Sequence, residues 1–508
     1  MRPALLLAFA GLISVAVAEV PQYAEIQLQA RSNIVDGYNL PALSSFNSKT
    51  PALNEVPEIA FSLVYVGGGN AGLFVGKNGA GSVVYNAPAD RIVSDPSIDA
   101  TGKVAFDRSD IYSDGVFVYD PGSGQTNLTI PPSTFDFTAN ATLLDDGRIG
   151  FRAGQSGSIY AWRMFDDEVE TTYVAHGGEV AYLFTPSTNG LGRIAGKVRL
   201  GSTSGSAKDE IRSYSAPGVF VVLAEDVDSD AGSPYSSFDN SVALADDGRV
   251  AFIANLVGGG RGVFLTNGTT TATIATLDDP LVSEISFFRP VANASGLVAF
   301  RGTDGAGLDA IFVGDGVELQ RVVAEHDLLE TDLGIGRIDQ HDSSVVFGGA
   351  VALNENGDLA FNASLTPEDN DQIEWGSGMF IAVAVTGPPP VPDGKLAGFG
   401  MLVGKQAGGD DLDLRWDVRT CPADDYNLFF GDLASVASLG IASAECDLGA
   451  GGRAFVSAPM GDLFFLLAST DGDGVESWHG VDSDGVPRSS SGVGYCGLVE
   501  QSLAGSCP

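Results

Sequence analysis

Positive charge is the scarcest feature of this 508-residue chain. Lys and Arg number 27 against 65 Asp and Glu, for a net charge of −38. A surface this acidic is repelled by the phosphates of nucleic acid and of anionic lipid, which argues against both as partners. Histidine is nearly absent: His176, His326, His341 and His479 are the four. None belongs to a His-Glu-x-x-His pair, and no Gly-x-Ser-x-Gly elbow occurs. Metalloprotease and serine-hydrolase chemistry therefore have little support. Beyond the N-terminus no apolar run reaches the ~20 residues of a membrane helix. No long stretch has the 3.6-residue period that helical repeats require. Apolar residues still make up 44% of the chain, too many for a disordered protein.

Cysteine is equally restricted. Cys421, Cys446, Cys496 and Cys507 are the four, all near the C-terminus. An even set in a small exported domain reads as two disulfides, and the absence of Cys-x-x-Cys argues against zinc. Of the three connectivities, the sequential one is expected: Cys421–Cys446 and Cys496–Cys507. The N-terminus agrees with export. Arg2 supplies a positive start, Ala4 to Val17 an apolar stretch, and Ala16-Val17-Ala18 a small-residue cleavage site. Residues 1–18 are expected to be a signal peptide cleaved after Ala18. Glu19 follows where a lipid anchor needs Cys. The expectation is a secreted or periplasmic protein with no membrane insertion.

What is abundant is glycine, 66 residues, about twice the usual share. Much of it belongs to a phrase that recurs seven times. Asp99-Ala-Thr-Gly102-Lys-Val-Ala-Phe106, Asn293-Ala-Ser-Gly296-Leu-Val-Ala-Phe300 and Asn354-Glu-Asn-Gly357-Asp-Leu-Ala-Phe361 are clear copies. Copies beginning at Leu144 and Ala245 keep an Asp-Asp-Gly turn. The copy from Asn189 ends in Gly196 rather than Phe, and the copy from Asn54 has Pro57 in place of Gly. The last positions are 61, 106, 151, 196, 252, 300 and 361. A second phrase follows each copy and ends in Phe74, Phe117, Tyr160, Phe220, Phe264, Phe312 or Phe380. Asn or Asp followed by Gly makes a tight turn, and aliphatic-Ala-Phe reads as a buried strand. The second phrase reads as the next strand, and Val317 to Val323 as a third. Several short strands per ~45 residues fit a four-stranded propeller blade. The expected fold is all-β: a propeller of about seven blades, six or eight remaining open because of the long steps before 252 and 361. Tyr23 to Ala30 is a candidate for the strand that closes the ring.

The tandem Asn-x-x-Gly-x-x-Ala-Phe phrase resembles the NxxGxxAF tandem-repeat family of exported bacterial proteins, over residues ~50–385. That resemblance implies a bacterial exported protein with a propeller-like fold, and no activity. Thr386-Gly-Pro-Pro-Pro-Val-Pro-Asp393 reads as a stiff linker. The expected organisation is a propeller over 19–385, the linker over 386–394 and a β-sandwich over 395–508. In the last part Leu412, Leu414 and Trp416 alternate, and Tyr426 to Phe430, Arg453 to Ser457 and Leu463 to Ala468 read as further strands. Leu412-Asp-Leu-Arg-Trp416, Asp425-Tyr-Asn-Leu-Phe-Phe430 and Gly480-Val-Asp-Ser-Asp-Gly485 resemble a fibronectin-III-like accessory domain of exported bacterial proteins. That resemblance implies an accessory role without catalytic residues.

Candidate chemistry is sparse. Gly67-Gly-Gly69-Asn-Ala-Gly72 fits GxGxxG, but strand-like residues follow it, so a hairpin loop is the better reading. Asp226, Asp228 and Asp230, with Gly232, and Asp471, Asp473 and Glu476 have the alternating oxygens of a calcium loop. A solvated acidic loop is the plainer reading of each, and Ca2+ the only cofactor suggested. Trp162 and Trp375 are candidates for a sugar-binding face, with core packing as the ordinary role. These features describe an exported non-enzymatic binding or scaffold protein whose propeller loops hold an extracellular polysaccharide or protein ligand. The alternative is an extracellular carbohydrate-active hydrolase or lyase with carboxylates in the propeller funnel.

Overall fold

The structure, a computed structural model, describes residues 20–502 except 47, 66–69, 111, 133–135, 156–158, 203–206, 342–344, 386, 389, 393–397, 406–410, 421–422, 424, 458–460, 472–473, 481–487 and 489–493. The expected signal peptide lies outside the described residues. Two compact units form: residues 27–381, and residues 382–508 with 21–26.

Seven successive antiparallel sheets make the first unit a seven-bladed β-propeller. Blades 1 to 7 span 44–86, 92–130, 137–175, 180–225, 235–276, 282–324 and 334–385. In blade 5, Tyr235–Phe238 and Ala243–Leu244 both pair with Val250–Leu256, which pairs with Arg261–Thr266 and then Thr271–Thr276. Each blade thus has four strands, the innermost broken or bulged. Blade 7 takes its outer strand from the start of the chain, where Gln22–Ser32 lies beside Gly376–Val385. The strand foreseen at Tyr23 to Ala30 therefore closes the ring.

The repeat phrase marks the second strand of every blade. Phe61, Phe106, Phe151, Phe252, Phe300 and Phe361 are all buried. In four blades the Phe sits directly opposite the aromatic of the second phrase: Phe61 and Phe74, Phe106 and Phe117, Phe252 and Phe264, Phe300 and Phe312. Their rings lie 4.7–5.9 Å apart. Two blades depart from this pattern. In blade 3 the partner of Phe151 is Arg163, and Tyr160 faces Gly154. In blade 4 the third strand is Lys208–Ala216, and Phe220 lies on the fourth, Val219–Glu225, beyond the tight turn after Ala216. The place that Phe holds elsewhere is Gly196 here, and Trp162 from blade 3 fills it: a Cβ on Gly196 would stand 2.7 Å from the indole. Trp162 is fully buried and donates from Nε1 to the Phe184 carbonyl at 3.0 Å. It is a packing residue.

The second unit is a β-sandwich. Leu402–Lys405, Asp411–Arg415 and Arg453–Ser457 form one sheet. Ile441–Glu445, Asp425–Asp432, Leu463–Thr470, Val475–Ser477 and Glu500–Ser502 form the other. Leu412, Leu414 and Trp416 meet Tyr426, Leu428 and Phe430 in the core between them, as the alternation required. The expected cysteine pairing is corrected. Cys446 is bonded to Cys496, which excludes the sequential connectivity. Proximity along the chain misled here: Tyr495, Cys496 and Leu498 pack in one cluster with Ile441 and Ala444 of the strand that Cys446 follows. Cys421 and Cys507, the remaining pair, lie outside the described residues. No helix among the described residues is long and apolar enough to cross a membrane. A disulfide is at home in an oxidising compartment.

Candidate functional site

The turn of the repeat does more than reverse the chain. The side-chain Oδ1 of Asn54, Asn189, Asn293 and Asn354 accepts the backbone N–H four residues on, at 2.8–3.1 Å. The Nδ2 of the same residue donates to a turn carbonyl of the next blade: Asn54 to Asp99, Asn189 to Ala245, Asn293 to Asn354, and Asn354 back to Asn54 across the closure. Where Asn is missing, a substitute makes the bridge. Asp99 has no donor, and Ala100 N instead donates to Asp145 at 2.8 Å. Leu144 and Ala245 have no polar atom, and Arg148 and Arg249 reach the carbonyls of Gly190 and Ala294. Asp246, Glu355 and Glu55 each accept a backbone N–H from the preceding blade as well. All seven junctions are bridged, by Asn amides, Arg guanidiniums or carboxylates, and the carboxylates take part in four of them. Crowding on this belt is visible in Glu55 and Glu355. Burial of their carboxyl ends raises both above the ordinary glutamate value, against the lowering effect of the N–H donors.

Four residues before each turn the inner strand is interrupted or, in blades 3 and 7, bulged, and this point faces the central channel. The seven residues at this position, blades 1 to 7, are Thr50, Asp95, Asn140, Thr185, Ser241, Arg289 and Ala350. All line one cavity of about 500 Å³. A broken ladder frees these residues from sheet register and lets them bow inward; Asn140, for example, takes φ 57°. The next channel-facing position is mostly small, with Ala52, Ser97, Thr142, Ser187, Ala243 and Ala352, and this leaves the bore open. Six of the seven ring residues are polar, and the ring carries one anion and one cation. Burial lowers the Arg289 pKa, and Asp95 opposes that effect. The segment that presents Arg289 is clamped: Arg261 stacks on Phe287 at 4.1–4.4 Å, as Arg301 does on Phe288.

The sequence-derived metal candidates fall elsewhere. Asp226 is buried, and its carboxylate accepts the N–H groups of Asp209 and Ser229. Asp228 and Asp230 are exposed, and Asp230 accepts from Gly232 N at 2.9 Å. The three therefore do not share one face of the loop. Asp471 caps Val475 N at 3.0 Å, and Glu476 is fully buried 3.4 Å from His479 Nε2. Asp473 lies outside the described residues. A cluster with no forewarning is Glu325, His326 and Asp339, whose ligand atoms lie within 4.8 Å. Arg337 is already 3.1 Å from Asp339, so a cation there would compete with a guanidinium. Trp375 packs over Gly336, and neither it nor Trp162 lines the channel. Gly67-Gly-Gly69 lies outside the described residues; Gly72 belongs to the strand Ala71–Lys77, which pairs antiparallel with Glu58–Tyr65, so a strand and not a dinucleotide-type helix follows. The polar ring was missed in the sequence, although its signal is simple: the fourth residue upstream of each copy.

Comparisons with known proteins add little chemistry. No curated protein matches the sequence. Among solved structures, an oligogalacturonate lyase in complex with manganese is 10% identical, with 71% of this chain and 91% of that one covered and a TM-score of 0.44. An acylaminoacyl peptidase of Pyrococcus horikoshii is 13% identical over 73% of this chain and 58% of that one, TM-score 0.43. The SapL1 lectin in complex with α-methyl fucoside is 10% identical over 56% and 97%, TM-score 0.35. Likenesses this remote carry no argument about activity. In sequence, residues 188–387, from the end of the blade 4 inner strand through blade 7, match a family of unknown function, DUF7453.

Proposed function

We propose that this is an exported, non-enzymatic binding or scaffold protein that takes a polar ligand group into the central channel of its propeller. The observation that carries the reading is the ring of inward-facing residues, one per blade, lining a single cavity of about 500 Å³. A concave site with a few convergent polar groups is the usual form of a small-ligand site. The enzyme alternative needs two carboxylates flanking the scissile bond. Among the described residues lining the channel, Asp95 is the one carboxylate. The carboxylates at the turn belt are occupied with backbone N–H groups. Both facts favour binding over hydrolysis.

The test is a pull-down of the mature protein on a panel of insoluble polysaccharides, with the supernatant assayed for released sugar. Retention without release, lost in Ser241→Trp, is the expected result. The indole would narrow the bore. Released sugar would overturn the non-enzymatic reading. Retention unchanged in Ser241→Trp would remove the channel from it.

A further inference from the structure

Arginine in this protein is a guide to what the channel lacks. Acids outnumber bases 65 to 27, and the arginines of the propeller are widely paired. Arg31 meets Asp332, Arg91 and Arg108 meet Asp114, Arg199 meets Asp209, Arg212 meets Glu210, and Arg261 meets Asp239. Arg289 differs. Among the described residues its guanidinium makes no hydrogen bond or ion pair, and it faces the cavity. Asp95, from blade 2, acts on it only at a distance. Arg289 is half-buried, so its five donors are open to the channel and free to meet a ligand that supplies acceptors. The planar fork matches a carboxylate in bidentate fashion.

The rest of the ring defines the other end of the ligand. Thr50, Asn140, Thr185 and Ser241 are neutral and both donate and accept, which suits hydroxyl groups. The Asp95 carboxylate accepts only, and suits a hydroxyl that donates a hydrogen bond. Phe287 is 80% exposed beside Arg289 and offers apolar area for the carbon face of a ring. The stacking of Arg261 and Arg301 on Phe287 and Phe288 holds this segment in place before a ligand arrives. We infer that the channel binds a small hydroxylated carboxylate of the sugar-acid type, with Arg289 gripping the carboxylate and the neutral ring residues and Asp95 reading the hydroxyls. The inference rests on the channel-binding reading given above and names its ligand class.

Calorimetric titration with D-glucuronate, glucose and alanylalanine tests it. Glucuronate and glucose differ in the carboxylate; alanylalanine keeps a carboxylate and replaces the hydroxyls with an ammonium. Glucuronate is expected to bind at least about tenfold tighter than either of the others, since a charged bidentate contact is worth that much or more. Arg289→Met is expected to remove the glucuronate preference while unfolding as the wild type does. Arg289→Lys keeps the charge without the fork and is expected to retain part of the preference, which covers a Met variant that fails to fold. Equal binding of glucose and glucuronate, tighter binding of alanylalanine, or no glucuronate binding at about 10 mM would overturn the inference. Glucuronate binding lost in Ser241→Trp but intact in Arg289→Met would overturn the ligand class and leave the channel reading standing. Binding intact in both variants would overturn both.

Discussion

The propeller and the C-terminal unit close their structures by different means. The propeller closes with backbone and amide hydrogen bonds repeated at seven junctions, and with an N-terminal strand laid on its last blade. Its described residues contain no cysteine, because the cysteines all come later. The C-terminal unit is bridged by Cys446–Cys496, across 50 residues of chain. The difference follows from size. Seven blades bury a long series of apolar interfaces, and the closing contacts add to an already large core. A sandwich of about a hundred residues buries a smaller share of its surface, so a restriction on the unfolded chain counts for more.

The largest expected effect tests the covalent side of this contrast. Replacing Cys446 and Cys496 by Ser should lower the stability of the C-terminal unit by about 4 kcal/mol, the loop-closure value for a 50-residue separation. Hydrogen exchange would read it, with faster exchange expected over residues 425–477 and none of the blade amides affected. Equal acceleration in the blades would end the contrast. Next is the hydrogen-bonded closure. Asn354 is buried, holds Asp358 N at 2.8 Å and donates to Asn54 O at 2.9 Å. Asn354→Ala leaves both backbone groups without it and should cost about 3 kcal/mol in urea unfolding. A loss under about 1 kcal/mol would mean that the closure is redundant.

A smaller effect separates the two kinds of bridge. Arg249 is partly exposed and reaches Ala294 O at 2.9 Å, so Arg249→Ala should cost about 1 kcal/mol. Adding Ala245→Asn supplies the amide used at other junctions and should recover most of that loss. Failure to recover would show that the Arg bridge is not equivalent to the Asn bridge. The smallest effect concerns pH. Glu55 and Glu355 have folded-state pKa values raised above the ordinary 4.5, chiefly by burial. The native state then binds more protons than the unfolded state in the window above 4.5, so their contribution to stability falls as pH rises through it. Acidification from neutrality toward that value should therefore stabilise the wild type relative to Glu55→Gln/Glu355→Gln. Identical pH profiles would show that the belt carboxylates are not strained.

Much of the architecture could be read from residues alone. The phrase ending in Ala60-Phe61, Ala105-Phe106 or Ala299-Phe300 identified strand, turn and blade, because each depends on neighbours a few residues away. Leu412, Leu414 and Trp416 alternate in sequence and share one buried face in space. The errors were of another kind. Phe220 was misplaced by one strand because a single aromatic carries no register. Trp162 does pack in the core, its ordinary role, but its place there was not legible: it replaces the side chain that Gly196 does not have.

The repeat period, turn chemistry, acidic surface and cysteine count are properties of the chain itself, and local physics fixes their consequences. The pairing of Cys446 with Cys496 and the bridge from Asn354 to Asn54 join residues 50 and 300 positions apart. The convergence of Asp95 and Arg289 on one cavity depends on seven inner strands breaking or bulging at the same repeat position around a closed ring. Sequence spacing specifies each break separately, and only closure of the ring brings the seven together.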